Sequence, residues 1–211
     1  IMTVLCVVED GQAMLLVDMH ADGVRVAEPD LKMGNRVQLT SDVEFTDVFV
    51  PDEHVIAIPG RGLSTALASL AMGRIGVAAM GVGMGQCAFD HAVRHMRQRS
   101  AFGSKLGGFQ HWQFRFAEHA IALESARSLY QKAARKVDVS GRPEPEAAMA
   151  KVIGSRVAVD IARDAIQVHG GAGISDATPL AIDGVDCPVE RIANTKAKGF
   201  GANHNAAFMR C

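Results

Sequence analysis

The sequence predicts an α+β chain: a short antiparallel β segment, forming part of a β-barrel domain, followed by an antiparallel α-helical bundle. Two patterns predict this class. Before about residue 60, short β-branched runs are separated by turn signals, whereas beyond it apolar residues recur every three to four positions. We therefore expect a partial β-domain over 1–58 and a C-terminal helical bundle domain over 59–211, with the tail 182–211 left unassigned.

The β segment is predicted from five apolar runs, each bounded by Gly, Pro or acidic turn residues. These runs cover residues 4–8, 13–17, 24–27, 43–45 and 48–50. Strands this short would form one small sheet whose edges need cover, so we do not expect the segment to be stable alone.

Three long helices are predicted for the bundle. The first opens with Leu63, Ala66, Leu67 and Leu70. The second covers about 109–139, with one face formed by Phe109, Trp112, Phe116, Ala120, Leu123 and Arg127. The third starts near Glu144 and ends at His169, with a face formed by Met149, Val152, Ile153, Val157, Ile161, Ala165 and Val168. Whether a fourth helix lies within 178–211 stays open.

Composition and charge exclude several classes of protein. Apolar residues make up 48% of the 211-residue chain and charged residues 21%, which is typical of a globular protein. The net charge of −1 gives no basic excess for nucleic acid. The uncharged stretch 75–89 is shorter than the roughly 20 residues of a bilayer span, so we predict a buried helix there. Four cysteines without metal-ligand spacing fit a reducing cytosol.

Three motifs suggest chemistry that their surroundings do not support. Gly81-Val82-Gly83-Met84-Gly85 lacks the third glycine and the acid of a dinucleotide-binding loop, which favours close contact between helices. His169-Gly170-Gly171 resembles an esterase oxyanion loop, but no G-x-S-x-G elbow follows. Asp90, His91 and His95 have no further ligand at a recognised spacing, so we expect no metal site.

A set of motifs in a fixed order points to a family. They are Lys32-Met33-Gly34, Val43-Glu44-Phe45-Thr46-Asp47 with Val48-Phe49-Val50-Pro51, Met72-Gly73-Arg74-Ile75-Gly76, Arg99-Ser100-Ala101-Phe102-Gly103 with Phe109-Gln110, Glu146-Ala147-Ala148-Met149-Ala150-Lys151, and Ala165-Ile166-Gln167-Val168-His169-Gly170-Gly171. From about residue 13 to 180, their order and spacing resemble the acyl-CoA dehydrogenases, from the end of the β-domain through the C-terminal bundle. This resemblance implies a flavoprotein that binds FAD at a subunit interface.

The resemblance also implies roles for individual residues. Arg99 would contact the FAD pyrophosphate, and Phe102 would lie near the flavin or the adenosine half. The ADP part would be held by Gln110, Gln167, Gly170 and Gly171. Arg74, the one charge within an otherwise apolar helix, would lie by the acyl-CoA site. A guanidinium suits a pyrophosphate because it offers forked, charge-assisted donors.

The implied partners are an acyl-CoA thioester, electron-transfer flavoprotein or another acceptor, and further copies of the chain in a dimer or tetramer. The implied setting is fatty acid metabolism in the cytoplasm, or in the mitochondrial matrix of a eukaryote.

No catalytic base can be assigned from the sequence. The family's Y-E-G-T-x-E-like motif is absent, and Gly73 occupies the other position that carries a base in some members. The family's N-terminal domain has no counterpart here, so we expect an incomplete dehydrogenase that alone has little activity and binds FAD weakly. Two alternatives stay open: a non-catalytic paralogue or partner subunit, and a flavin monooxygenase-type reaction on the same fold.

Overall fold

The computed structural model describes residues 1–32, 34–35, 37–141 and 143–174. It contains seven strands and three long helices over these residues. The strands are β1 (Met2–Val8), β2 (Gly11–Val17), β3 (Val24–Val26), β4 (Val43–Phe45), β5 (Val55–Ala57), β6 (Ser100–Ala101) and β7 (Ser104–Lys105). The helices are α1 (Gly62–Gln98), α2 (Gln110–Ser140) and α3 (Glu144–His169). The predicted α+β class is confirmed, and a fourth helix in 178–211 lies outside the described residues.

The first compact unit, Ile1–Leu70, contains two small antiparallel sheets. In one sheet β2 lies between β1 and β5, and in the other β3 pairs with β4. The hairpin β1–β2 pairs Met2 with Val17 and Val8 with Gly11. Its core is formed by the buried side chains of Ala13, Met14, Val17 and Ala57.

Two predictions for the β segment are wrong. Residues 48–50 are not a strand, and Val55–Ala57 forms one that the pattern did not reveal. The ladder after β4 ends because Asp47 adopts a left-handed backbone with φ of 51°, and Pro51 then has no N–H for pairing. The strands also form two separate sheets, not the single predicted one.

The second compact unit begins at Ala71 and is built from α1, α2 and α3. All three helices contribute to a main core of apolar side chains, and a smaller cluster lies towards the start of the unit. The main core is Val82, Ala88, Ala92, Met96, Phe116, Leu123, Ala126, Val157, Ile161, Ala165 and Val168. The smaller cluster is Ala71, Ile75, Ala133 and Ala147.

The predicted buried faces of α2 and α3 are partly wrong. Ala120 is exposed, and His119 and Ala126 are buried instead. On α3, Met149, Val152 and Ile153 are 48%, 43% and 41% exposed. Small residues take the inward positions on α3, so this helix lies close to α1 and its larger side chains at 149–153 point outward.

Helices α1 and α3 approach each other through glycine. A methyl group added at Gly81 would lie 2.7 Å from the carbonyl oxygen of Gly154, and one added at Gly154 would lie 2.7 Å from that of Ala78. Real Cβ atoms are not found so close to backbone. The glycines of 81–85 lie inside α1 and not in a loop. The prediction that small residues here allow two helices to approach closely is confirmed at Gly81.

By length and composition, α1 is the one described helix that could cross a bilayer, with a mean hydropathy of 1.5 over its most apolar window. A core helix of a water-soluble protein meets the same criteria, and 39% of that window is buried within the fold. Its residues Ala78, Val82 and Ala92 are fully or almost fully buried.

The one buried polar side chain among the described residues, His119, joins α2 to α3. Its Nε2 lies 2.7 Å from Oδ2 of Asp164, which also accepts a hydrogen bond from Nε of Arg115. No buried side-chain nitrogen or oxygen in the described part of the chain lacks a partner. The carboxylate therefore serves both donors from α2, and it does so five residues before α3 ends.

We expect Gly81→Ala to lower the free energy of unfolding by about 1–3 kcal/mol, because the methyl group must displace backbone. The matched control is Gly83→Ala, two positions along the same helix, where nothing lies within 4 Å of the added atom. That change should leave stability unchanged or raise it by about 0.5–1 kcal/mol. Urea denaturation followed by circular dichroism measures both. Equal stability of the two variants would contradict the close helix contact.

We expect Asp164→Ala to cost about 1–3 kcal/mol of stability, because it leaves the buried His119 ring without its partner. The double variant Asp164→Ala/His119→Leu should be more stable than Asp164→Ala alone, since no unpaired polar group is then buried. The same urea titration measures the coupling. Additive losses in the double variant would show that the two residues do not act together.

Candidate functional site

The bundle brings the ends of α1 and α3 together. His95 lies in the last turn of α1, and His169 is the last residue of α3. Their rings stack with centroids 4.1 Å apart and planes inclined by 28°. Arg99 follows the end of α1 and Gly170 follows the end of α3, so both lie at this end of the bundle.

A tight hairpin follows α1 and exposes Phe102 at its tip. Strands β6 and β7 pair Ser100 with Lys105 and Ala101 with Ser104. Phe102 and Gly103 both have positive φ, 51° and 82°. The ring of Phe102 is 96% exposed. A left-handed conformation costs a non-glycine residue about 1–2 kcal/mol, so the backbone at Phe102 is strained. Because the side chain is exposed, no packing within the chain offsets this cost.

Arg99 and Gln110 flank this hairpin, and both are exposed. The backbone N–H of Arg99 donates to the carbonyl of His95 at 2.8 Å, and its own carbonyl accepts from Leu106 at 2.9 Å. The Arg99 guanidinium forms no hydrogen bond or ion pair with the described residues. The backbone is therefore fixed while the charged group is left for another molecule.

The turn after α3 can be formed only by glycine at its first position. Gly170 has φ of 59° and ψ of −137°, a combination that side chains disfavour. Gly170 and Gly171 have open space where a side chain would be, whereas Gly173 faces the backbone of Ile166. Gln167 is exposed on the last turn of α3. A ligand can thus approach the backbone of the first two glycines directly.

The surroundings of this turn and hairpin are rich in positive charge. Residues 91–117 contain no Asp or Glu. Over the same stretch the cationic residues are Arg94, Arg97, Arg99, Lys105 and Arg115. An acid-free segment at one end of a bundle favours an anionic ligand.

Arg74 lies apart from the other predicted residues. It lies 24 residues before Gln98, the last residue of α1, which is about 36 Å along the helix axis at 1.5 Å per residue. Its side chain is half-buried and has no hydrogen bond or ion pair with the residues that the structure describes. Next to it, Gly73 has open space beyond its Cα. The acids of the tail (Asp176, Asp183, Asp186 and Glu190) lie outside the described residues.

Asp90 and His95, two of the three residues considered above as metal ligands, each contact a different side chain. Asp90 accepts a hydrogen bond from Gln86, and His95 stacks on His169. Within the described ranges no group of three His, Cys, Asp or Glu side chains could hold a metal ion.

The histidine pair is the part of this site that sequence patterns missed. The available signal was a histidine four residues before Arg99 and another directly before Gly170. Only the helix packing shows that the two rings meet.

Comparison with known proteins agrees with this arrangement. A model of the C-terminal domain of acyl-CoA dehydrogenases matches residues 60–194, more than half of the chain. The mouse (Mus musculus) short-chain specific acyl-CoA dehydrogenase, mitochondrial, is 39% identical over 163 residues, which is 77% of this chain and 40% of the relative.

Solved structures give the same result for the fold. Butyryl-CoA dehydrogenase from Megasphaera elsdenii superposes with a TM-score of 0.82 at 32% identity, covering 85% of this chain and 48% of that one. PigA, solved with FAD and proline, superposes with a TM-score of 0.76 at 26% identity, covering 82% of this chain and 45% of PigA.

The chain thus spans less than half the length of each of these proteins. The match over its bundle, together with the sequence identity, shows that it belongs to the acyl-CoA dehydrogenase family.

Proposed function

We propose that this chain forms the C-terminal, nucleotide-binding part of an FAD-dependent enzyme that introduces an α,β double bond into an acyl-CoA thioester. The observation that carries the proposal is that Arg99 and the open turn at Gly170 lie at the same end of the bundle. The Arg99 guanidinium has no partner in the part of the chain that the structure describes. The names of its relatives and the FAD in the PigA structure support it.

Arg99 would bind the pyrophosphate of FAD. A pyrophosphate is a dianion, and a guanidinium supplies paired donors that match its oxygens. The lack of acids over 91–117 means that no carboxylate of this segment competes for the arginine. The open turn at Gly170 and Gly171 would add backbone donors that side chains do not obstruct.

Phe102, Gln110 and Gln167 would complete the contact with the dinucleotide. An exposed ring on a strained turn has no packing role in the described chain, so its cost is better explained by a ligand. The two glutamine side chains are exposed and offer both donors and acceptors to ribose and adenine. Several of these residues would reach FAD held by a neighbouring copy of the chain.

Bound FAD supplies the acceptor for the hydride that leaves the β-carbon of the substrate. Arg74 would lie at the acyl-CoA site, where a half-buried cation without a partner among the described residues is suited to an anionic or carbonyl group. The described residues assign no base for the α-proton, because position 73 is a glycine. Electron-transfer flavoprotein or another acceptor would reoxidise the flavin.

The glycine at position 73 also favours a second candidate, a non-catalytic partner subunit that uses the bundle for assembly and holds only the nucleotide end of FAD. Adding an acyl-CoA to the flavin-loaded protein separates the two. Bleaching of the flavin absorbance supports the dehydrogenase, and an unchanged spectrum supports the partner subunit.

We propose further that copies of the chain associate through the outward-facing apolar side chains of its second unit. Met80 and Met84 on α1 are 46% and 45% exposed, and Met149 and Ile153 on α3 are 48% and 41% exposed. Exposed apolar side chains repeated along two helices are suited to contact with another protein surface. A second copy of this chain is the proposed occupant, because the family contacts to FAD reach between copies.

For FAD binding, we expect Arg99→Gln to lower the affinity roughly tenfold or more, since a hydrogen bond to a charged group contributes about 1.5–3 kcal/mol. Phe102→Asn should also weaken binding, yet stabilise the chain by relieving the left-handed phenylalanine. The control Arg94→Gln removes the same charge from an exposed position of α1. Flavin fluorescence titration measures the affinity. Equal affinity of the Arg99 and Arg94 variants would contradict the proposed site.

For assembly, multi-angle light scattering of the purified chain should give a mass of at least a dimer. Ile153→Asp together with Met80→Asp should shift it towards the monomer, because each buries a charge in the proposed contact. A monodisperse monomer of the unmodified chain would contradict self-association.

A further inference from the structure

The side chains of His95 and His169 stack on each other. They lie close to the two parts of the proposed nucleotide site, Arg99 and the Gly170 turn. His95 is four residues before Arg99 and its carbonyl holds the Arg99 backbone N–H at 2.8 Å. His169 is covalently joined to Gly170.

Each ring is held in a defined orientation. Nδ1 of His169 lies 2.8 Å from the carbonyl oxygen of Ala165. A carbonyl only accepts, so Nδ1 carries the proton and donates it. The ring of His95 has no hydrogen-bonding partner among the described residues, and stacking on His169 is its recorded contact. His95 therefore contacts His169 through the face of its ring, by stacking, and not through a ring nitrogen.

We propose that His95 is a positioning residue: its stack on His169 holds Arg99 and the Gly170 turn in the arrangement that binds a pyrophosphate, and protonation of His95 at low pH weakens this arrangement. The inference deepens the proposed function and rests on it for the identity of the ligand. The stack itself lies within one chain and requires neither FAD nor a second copy.

The electrostatic surroundings agree with release at low pH. The charged or titratable groups that act on His95 are His169 of α3 and Arg99 beyond the end of α1. Burial, His169 and Arg99 together hold the pKa of His95 below its ordinary value of 6.5. No carboxylate among the described residues counteracts this lowering of the His95 pKa.

The sign follows from this depressed pKa. Below the ordinary value the unfolded chain binds more protons at this position than the folded chain does, so falling pH weakens the folded arrangement. Helix C-termini favour a cation at this end, but a charged His95 ring would be partly buried and close to the Arg99 guanidinium, which repels it. Stacking is therefore retained near neutral pH and weakened as His95 becomes charged.

Hydrogen exchange of the full chain tests the inference without FAD. Backbone amides over 169–173 are followed as protection factors, corrected for intrinsic rates, at about pH 7.5 and about pH 5.5. His95→Ala should lower protection roughly tenfold at the higher pH, whereas His95→Phe, which keeps a ring that can stack, should not. The unmodified chain should lose protection at the lower pH and His95→Phe should keep it.

Two exchange results would overturn the inference: protection in His95→Ala equal to that of the unmodified chain, or a pH response in His95→Phe equal to that of the unmodified chain. The second comparison remains decisive even where His95→Ala lowers overall stability. Amides around Leu123, in the buried face of α2, report such a general loss.

FAD affinity of the same variants separates this inference from the proposed function. If Arg99→Gln weakens FAD binding and His95→Ala does not, the positioning role is wrong and the proposed site stands. If Arg99→Gln leaves FAD binding unchanged, the proposed function is wrong, and the exchange data still decide whether the stack holds the turn.

Discussion

The close contact between α1 and α3 is the constraint on which the second unit depends. Gly81 and Gly154 remove the side chains that would hold the two backbones apart, and Ala78 leaves room for the same contact. Since interiors are packed at crystal density, two helices that touch by backbone have little freedom to slide. The contact therefore fixes how far α1 and α3 run alongside each other, and with it the place where their C-terminal ends meet.

The candidate site is a consequence of that alignment. Arg99 and Gly170 are 71 positions apart in the sequence, yet each directly follows a helix that is held in register with the other. The Asp164 carboxylate adds a second tie near the same end by accepting hydrogen bonds from two side chains of α2. Exposed polar and aromatic groups are thus carried on rigid elements, which is the arrangement that precise ligand binding requires.

Sequence patterns predicted the class, the bounds of α2 and α3, the start of α1 and the family, because helical periodicity and short motifs are local properties. They failed where a distant contact decides. Met149, Val152 and Ile153 were assigned to the buried face because they are large and apolar, but the glycine contact turns smaller residues inward. Strand Val55–Ala57 was missed because it forms only by pairing with β2, some 40 residues earlier. The pairing of His95 with His169 depends on the same kind of long-range packing.

The acid-free stretch 91–117 has a consequence for kinetics. Of the five cations in that stretch, Arg115 is paired with Asp164 and Glu118. The other four produce a field that extends about 8–10 Å into a solution of physiological ionic strength. A phosphate-bearing ligand would be drawn towards this end before any atom touches it, and its rate of encounter would fall as salt is added. Under the proposed function, the rate of FAD binding would depend on the summed cations, and the rate of dissociation on the few residues in contact.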